Sequence, residues 1–216
     1  MSQNFYNLTL QTLTIVCIFA GIEMFIFSSE KKKEFPAYKR SRYLAGTVIL
    51  LYGFLCFIEW FFRLRDINVF YASSFSLSIY YLAAILFGYS LIPLLDNTYA
   101  QKKRIILDIM RYMIFLTLIS FAVLSQPKHA LIFLSLAGVY FFIDALRLSI
   151  LLIRKYRKCI HNINEYYSDY QTETYVHWMS QVSIFIILYG LSFAFIFYTK
   201  KEWIAAFSFL GIFLIG

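Results

Sequence analysis

Seven apolar runs, most of them as long as a bilayer-crossing helix, alternate with short polar stretches, and no other property of this sequence restricts its folding as much. A hydrocarbon core of about 30 Å takes roughly 20 helical residues. Inside it every backbone amide must find its partner within the segment, so each run has to be a helix. The runs cover residues 8–28, 43–62, 70–95, 105–125, 130–153 and 178–198, with a shorter one at 203–216. The expected fold is an all-α polytopic transmembrane bundle with six full spans and a partial seventh. Composition agrees: at 61% hydrophobic and 15% charged, with mean hydropathy +0.66, the chain holds more apolar side chains than a soluble core of this length can bury.

Orientation follows from the bases. The formal charge is +8, but the lysines and arginines sit in clusters between spans rather than on a soluble, nucleic-acid-facing surface. Thirteen fall in the odd-numbered loops, at 29–42, 96–104 and 154–177, against five in the even-numbered ones. Because short basic loops stay in the cytoplasm, the N-terminus is expected outside. Residues 1–7 carry no base, so the first run reads as a retained span rather than a cleaved signal. The last run spans only about 21 Å as a helix and stops without a polar flank. A half helix is one reading; a chain cut short within a seventh span is the other.

Catalytic patterns are missing from the sequence. His129, His161 and His177 stand in loops without the HExxH spacing of zinc sites, and no GxSxG, P-loop or GxGxxG pattern occurs. Cys17, Cys56 and Cys159 are scattered, so neither a disulfide framework nor a CxxC site is expected. The expectation is a non-enzyme without catalytic residues, cofactor or metal. Ser73, Ser74, Ser76 and Ser78, at the start of the third span, read as helix-packing contacts rather than nucleophiles. Glu59 and Arg63, four apart at the end of the second span, are placed to pair.

Charges inside spans are the strongest functional candidates, since an unpaired ion there costs about 3 kcal/mol on insertion scales. Glu23 lies in span one, Asp108 and Arg111 in span four, Asp144 and Arg147 in span five. Both acid–base couples have i, i+3 spacing, so each acid can neutralise the base on its own helix face. Two readings follow: separate local ion pairs that set helix register, or one buried network, completed by Glu23, that rearranges when something binds from outside.

The longest stretch that a bilayer would reject is the elbow at 154–177. Arg154, Lys155, Arg157 and Lys158 form a stop-transfer cluster suited to anionic headgroups. Tyr156, Ile160, Ile163 and Tyr167 recur every three or four residues, so the fifth helix should continue into water as an amphipathic extension. Ser168 three residues before Gln171 has capping-box spacing and predicts a helix restart, with Asp169 and Glu173 near its N-terminus.

Tyr156, Arg157, Lys158, Asn164, Tyr166, Tyr167, Ser168, Asp169 and Trp178 give the elbow its pattern. That pattern resembles the segment joining the fifth and sixth helices in the multi-pass N-terminal domains of membrane-anchored AraC-type helix-turn-helix transcriptional regulators. Gly21, Glu23, Met24, Glu59 and Trp60 are similar as well. The sharp part covers about 25 residues, the general layout nearly the whole chain. The resemblance implies a sensory or anchoring input module in the bacterial cytoplasmic membrane, with the elbow as its signal output. The family's DNA-binding domain has no counterpart here, so no nucleic acid is expected to bind these residues. Expected partners are the lipid bilayer, an unidentified small-molecule or protein ligand, and a second copy in a homodimer. A small transporter or channel, or the input domain of a sensor kinase, are the alternatives.

Overall fold

The computed structural model describes residues 2–26, 36–96, 99–125 and 127–166. Six helices cover nearly all of them: α1 (Ser2–Ile26), α2 (Pro36–Phe62), α3 (Leu64–Ile67), α4 (Val69–Leu95), α5 (Lys102–Leu124) and α6 (Pro127–Tyr166). All but α3 are long and apolar enough to cross a membrane. They correspond to the first five expected spans. The runs at 178–198 and 203–216, and the predicted restart at Ser168, lie outside the described residues.

Helix α4 holds the bundle together. It packs against α2 on one side and against α5 and α6 on the other, while α1 packs on α2. Its sequence explains this double role, because Ala72, Ser73, Ser74 and Ser76 allow close approach near its start. Farther along, Leu77, Tyr81 and Ile85 join Phe115, Ile119 and Ala122 of α5 and Leu134, Ala137 and Phe141 of α6 in the main core. The packed residues of α6 recur every three or four positions from Ala130 through Leu134, Ala137 and Phe141 to Asp144. Asp144 therefore belongs to the same face that makes the core.

The α1–α2 contact is closer than ordinary side chains permit. A Cβ built on Gly53 would lie 2.9 Å from the Cys17 Cβ, and one on Gly46 3.0 Å from the Met24 Cβ. Glycine at these positions lets the two backbones approach.

Element boundaries sharpen three expectations. Helix α6 begins at Pro127, earlier than residue 130, because proline suits a first helical position whose N–H has no intrahelical acceptor. Pro93 falls within the last turn of α4, which ends at Leu95. Helix α2 stops at Phe62 because Arg63 takes a left-handed conformation, φ 48°. The short α3 follows, and Asn68 then caps α4 by accepting from the amides of Phe70 at 2.9 Å and Tyr71 at 3.4 Å. The break at Arg63 overturns the expected Glu59–Arg63 pair: helical i, i+4 spacing ends there, and Arg63 is exposed.

Candidate functional site

Among the described residues, two charged centres interrupt the apolar packing. The larger lies where α4, α5 and α6 meet, and it contains four of the five expected intramembrane charges. Asp108 on α5 and Asp144 on α6 are both buried. Arg111 donates to Asp108 at 2.7 Å, and Arg147 meets Asp144 with its Nε at 2.8 Å. These are the two i, i+3 pairs that spacing predicts. Arg147 also reaches across to Asp108 at 3.2 Å, which joins the two pairs into one network spanning α5 and α6.

Helix α4 enters the network through two tyrosines. The Tyr81 hydroxyl donates to Asp144 at 2.9 Å, and the Tyr89 hydroxyl donates to Asp108 at 2.8 Å. Eight residues apart, they stand about 80° from each other around the axis, within one broad face, so one face of α4 holds both acids. Tyr81 also packs edge-on against Phe115, with ring centroids 4.7 Å apart, so its position is set by the core. Two acids and two bases balance inside the cluster, which makes its burial tolerable.

Beyond this network, toward the C-terminal ends of α4 and α6, a second layer closes the bundle. Ile92, Tyr99 and Leu152 are buried together, Arg104 stacks over the Tyr99 ring at 4.2 Å, and Lys155 pairs with Asp96 at 2.5 Å. Burial pushes the Tyr99 phenol above its ordinary pKa and Arg104 pulls it part of the way back. The ring thus remains a neutral platform for the guanidinium.

Glu23 stands elsewhere. It is exposed on α1, which packs on α2, and none of the hydrogen bonds or ion pairs identified among the described residues includes it. In the elbow, Tyr156 is half-buried, and Arg157 and Lys158 are exposed on α6. Asn164 and Tyr166 fall in the last turns of that helix. Tyr167, Ser168, Asp169 and Trp178 lie outside the described residues.

The second centre surrounds Glu59, near the start of α1 and the end of α2. Its carboxylate accepts hydrogen bonds from three other elements: Tyr6 of α1 at 3.0 Å, Arg65 of α3 at 3.4 Å, and Ser76 of α4. Glu59 and Arg65 are both buried. Burial is the largest single influence on Arg65 and works against its charge, but Glu59 together with Tyr6 and Tyr80 outweighs it and holds the guanidinium above its ordinary pKa. By sequence alone Arg65 is one of the five bases of the even-numbered loops and Ser76 is one of the packing serines. No spacing rule would have joined them to Glu59, because α3 and the turn at Arg63 had to be known first. The tyrosines were equally hidden, since any of eighteen could have been chosen.

Fold and sites together define a helical membrane bundle that buries two separate charge centres. No protein-family model, curated protein or solved structure matches the chain.

Proposed function

We propose that the chain is the membrane-embedded sensory and anchoring input module of a signal-transducing transcriptional regulator of the bacterial cytoplasmic membrane. In this reading six spans and a partial seventh cross the bilayer, with the N-terminus outside. One observation carries the reading: α6 is 40 residues long. At 1.5 Å per residue it extends about 60 Å, twice the hydrocarbon thickness. A single helix therefore carries Asp144 and Arg147 near its middle and the first, basic part of the elbow, 154–166, at its far end.

The network is suited to releasing such an element. If Arg147 leaves Asp108, it keeps Asp144, and Asp108 keeps Arg111 and Tyr89. The α5–α6 bond can thus break for the cost of one charged hydrogen bond, about 1.5–3 kcal/mol, without leaving an unpaired ion in the bilayer. An equilibrium of that size is within reach of a ligand that binds the two states differently.

The test fuses the chain to a cytoplasmic helix-turn-helix output domain that drives a reporter. Arg147→Met, which alters the network, and Lys158→Pro, which breaks the extension, should each shift reporter output when compared with the wild type at matched membrane abundance. Output indifferent to both variants would refute the proposal. Cysteine labelling at 154–177 from the cytoplasmic side checks the orientation separately.

A further inference from the structure

The Glu59 centre has the composition of a binding site for an organic cation. A carboxylate fixed by a phenol and a serine hydroxyl is bordered by aromatic rings, Tyr6 and the partly buried Tyr52 and Trp60 packing in one cluster and Tyr80 lying 5.7 Å from Tyr52. Carboxylates combined with electron-rich ring faces recognise ammonium and guanidinium groups, because both present negative potential to the cation. The position a cation would take is filled by the chain's own Arg65, whose side chain is only 5% exposed.

The manner of that occupancy distinguishes it from the inner network. Arg65 donates to Glu59 from Nε at 3.4 Å, whereas the strongest arginine–carboxylate pairs use two parallel N–H groups at shorter range. It is delivered by the four-residue α3, between the left-handed Arg63 and the extended Asn68, and not by a long helix. The serine and phenol, by contrast, come from the long helices α4 and α1.

We infer that Glu59, Tyr6 and Ser76 form a binding site for a small molecule bearing a guanidinium or primary ammonium group, and that Arg65 is a tethered occupant which such a ligand displaces. Displacement frees α3, the link between α2 and α4, and α4 carries Tyr81 and Tyr89 to the inner charges. The site does not depend on what the module controls, so it stands apart from the regulatory reading.

The experiment uses the full chain in lipid nanodiscs with ethylguanidinium, which reproduces the end of an arginine side chain. If Arg65 fills the site more than about nine-tenths of the time, removing it tightens cation binding at least about tenfold. Arg65→Ala should therefore lose thermal stability and regain it with ethylguanidinium, at concentrations about tenfold below those that act on the wild type. Tetramethylammonium, which has no N–H donor, should not restore it, and the Glu59→Gln/Arg65→Ala chain should not respond. In the wild type, saturating ethylguanidinium should speed amide exchange across Leu64–Ile67 and leave α5 unchanged. This second measurement decides the matter if Arg65→Ala does not fold. Rescue independent of Glu59 overturns the inference, as does an unchanged exchange rate in α3, and Arg65 is then a fixed part of the fold.

Discussion

Arg147 and Arg111 have the same spacing from their acids, yet their removal should have very different consequences. Arg147→Met keeps most of the packing stem and deletes the charge. Among the described residues Arg147 is the one cation on Asp144, which is 7% exposed and would keep only the Tyr81 hydroxyl. Breaking a buried pair from one side costs about 3–5 kcal/mol in soluble proteins, and insertion scales give an aspartate at a helix centre about 2.5–3.5 kcal/mol. Because Arg147 itself is 33% exposed, the lower end applies, about 3 kcal/mol. Arg111→Met leaves Asp108 with Arg147 at 3.2 Å and Tyr89 at 2.8 Å, so the loss should be near the lower end for one charged hydrogen bond, about 1.5 kcal/mol. Adding Asp144→Asn to Arg147→Met removes the unpaired charge and should restore about 2 kcal/mol. Reversible unfolding by SDS in bicelles measures all three. Equal losses for the two arginine variants, or no recovery in the double variant, would refute the assignment of Arg147 as the cation on which Asp144 depends.

Three further outcomes are expected. Gly53→Ala should destabilise the chain by about 1–3 kcal/mol through its approach to Cys17, whereas Gly88→Ala, whose new Cβ lies 3.5 Å from Leu148, should be neutral or slightly stabilising; thermal midpoints in one detergent compare them. At Arg63, φ 48° costs a side-chain-bearing residue about 1 kcal/mol, so Arg63→Gly should lose nothing and Arg63→Val should lose about 1 kcal/mol or more in the same assay. Lys155→Met removes a partly exposed pair with Asp96 and should change stability by less than about 1 kcal/mol, with the difference shrinking at high salt.

The sequence by itself determined the class of fold and the location of five membrane-length helices, because a bilayer leaves an apolar run of about 20 residues almost no alternative to a helix. It also determined the continuation of α6 into the elbow, through apolar spacing at Tyr156, Ile160 and Ile163, and the two local pairs Asp108–Arg111 and Asp144–Arg147, through helical geometry alone. Each of those is a property of one segment. Contacts between segments were beyond its reach. Local spacing assigned Glu59 to Arg63, whereas a single left-handed residue ended α2 and brought Arg65 to that carboxylate instead. It left open whether Arg147 stays with Asp144 or also reaches Asp108, and nothing in it singled out Tyr81 and Tyr89. Helix rotation and interhelical distance decided those partners, and both arise in packing, where Gly53 admits the close approach of α1 and the small side chains of Ser76, Ala122 and Ala137 are fully buried. An apolar run encodes that it is a helix; which of its faces meets which neighbour emerges only when the helices pack.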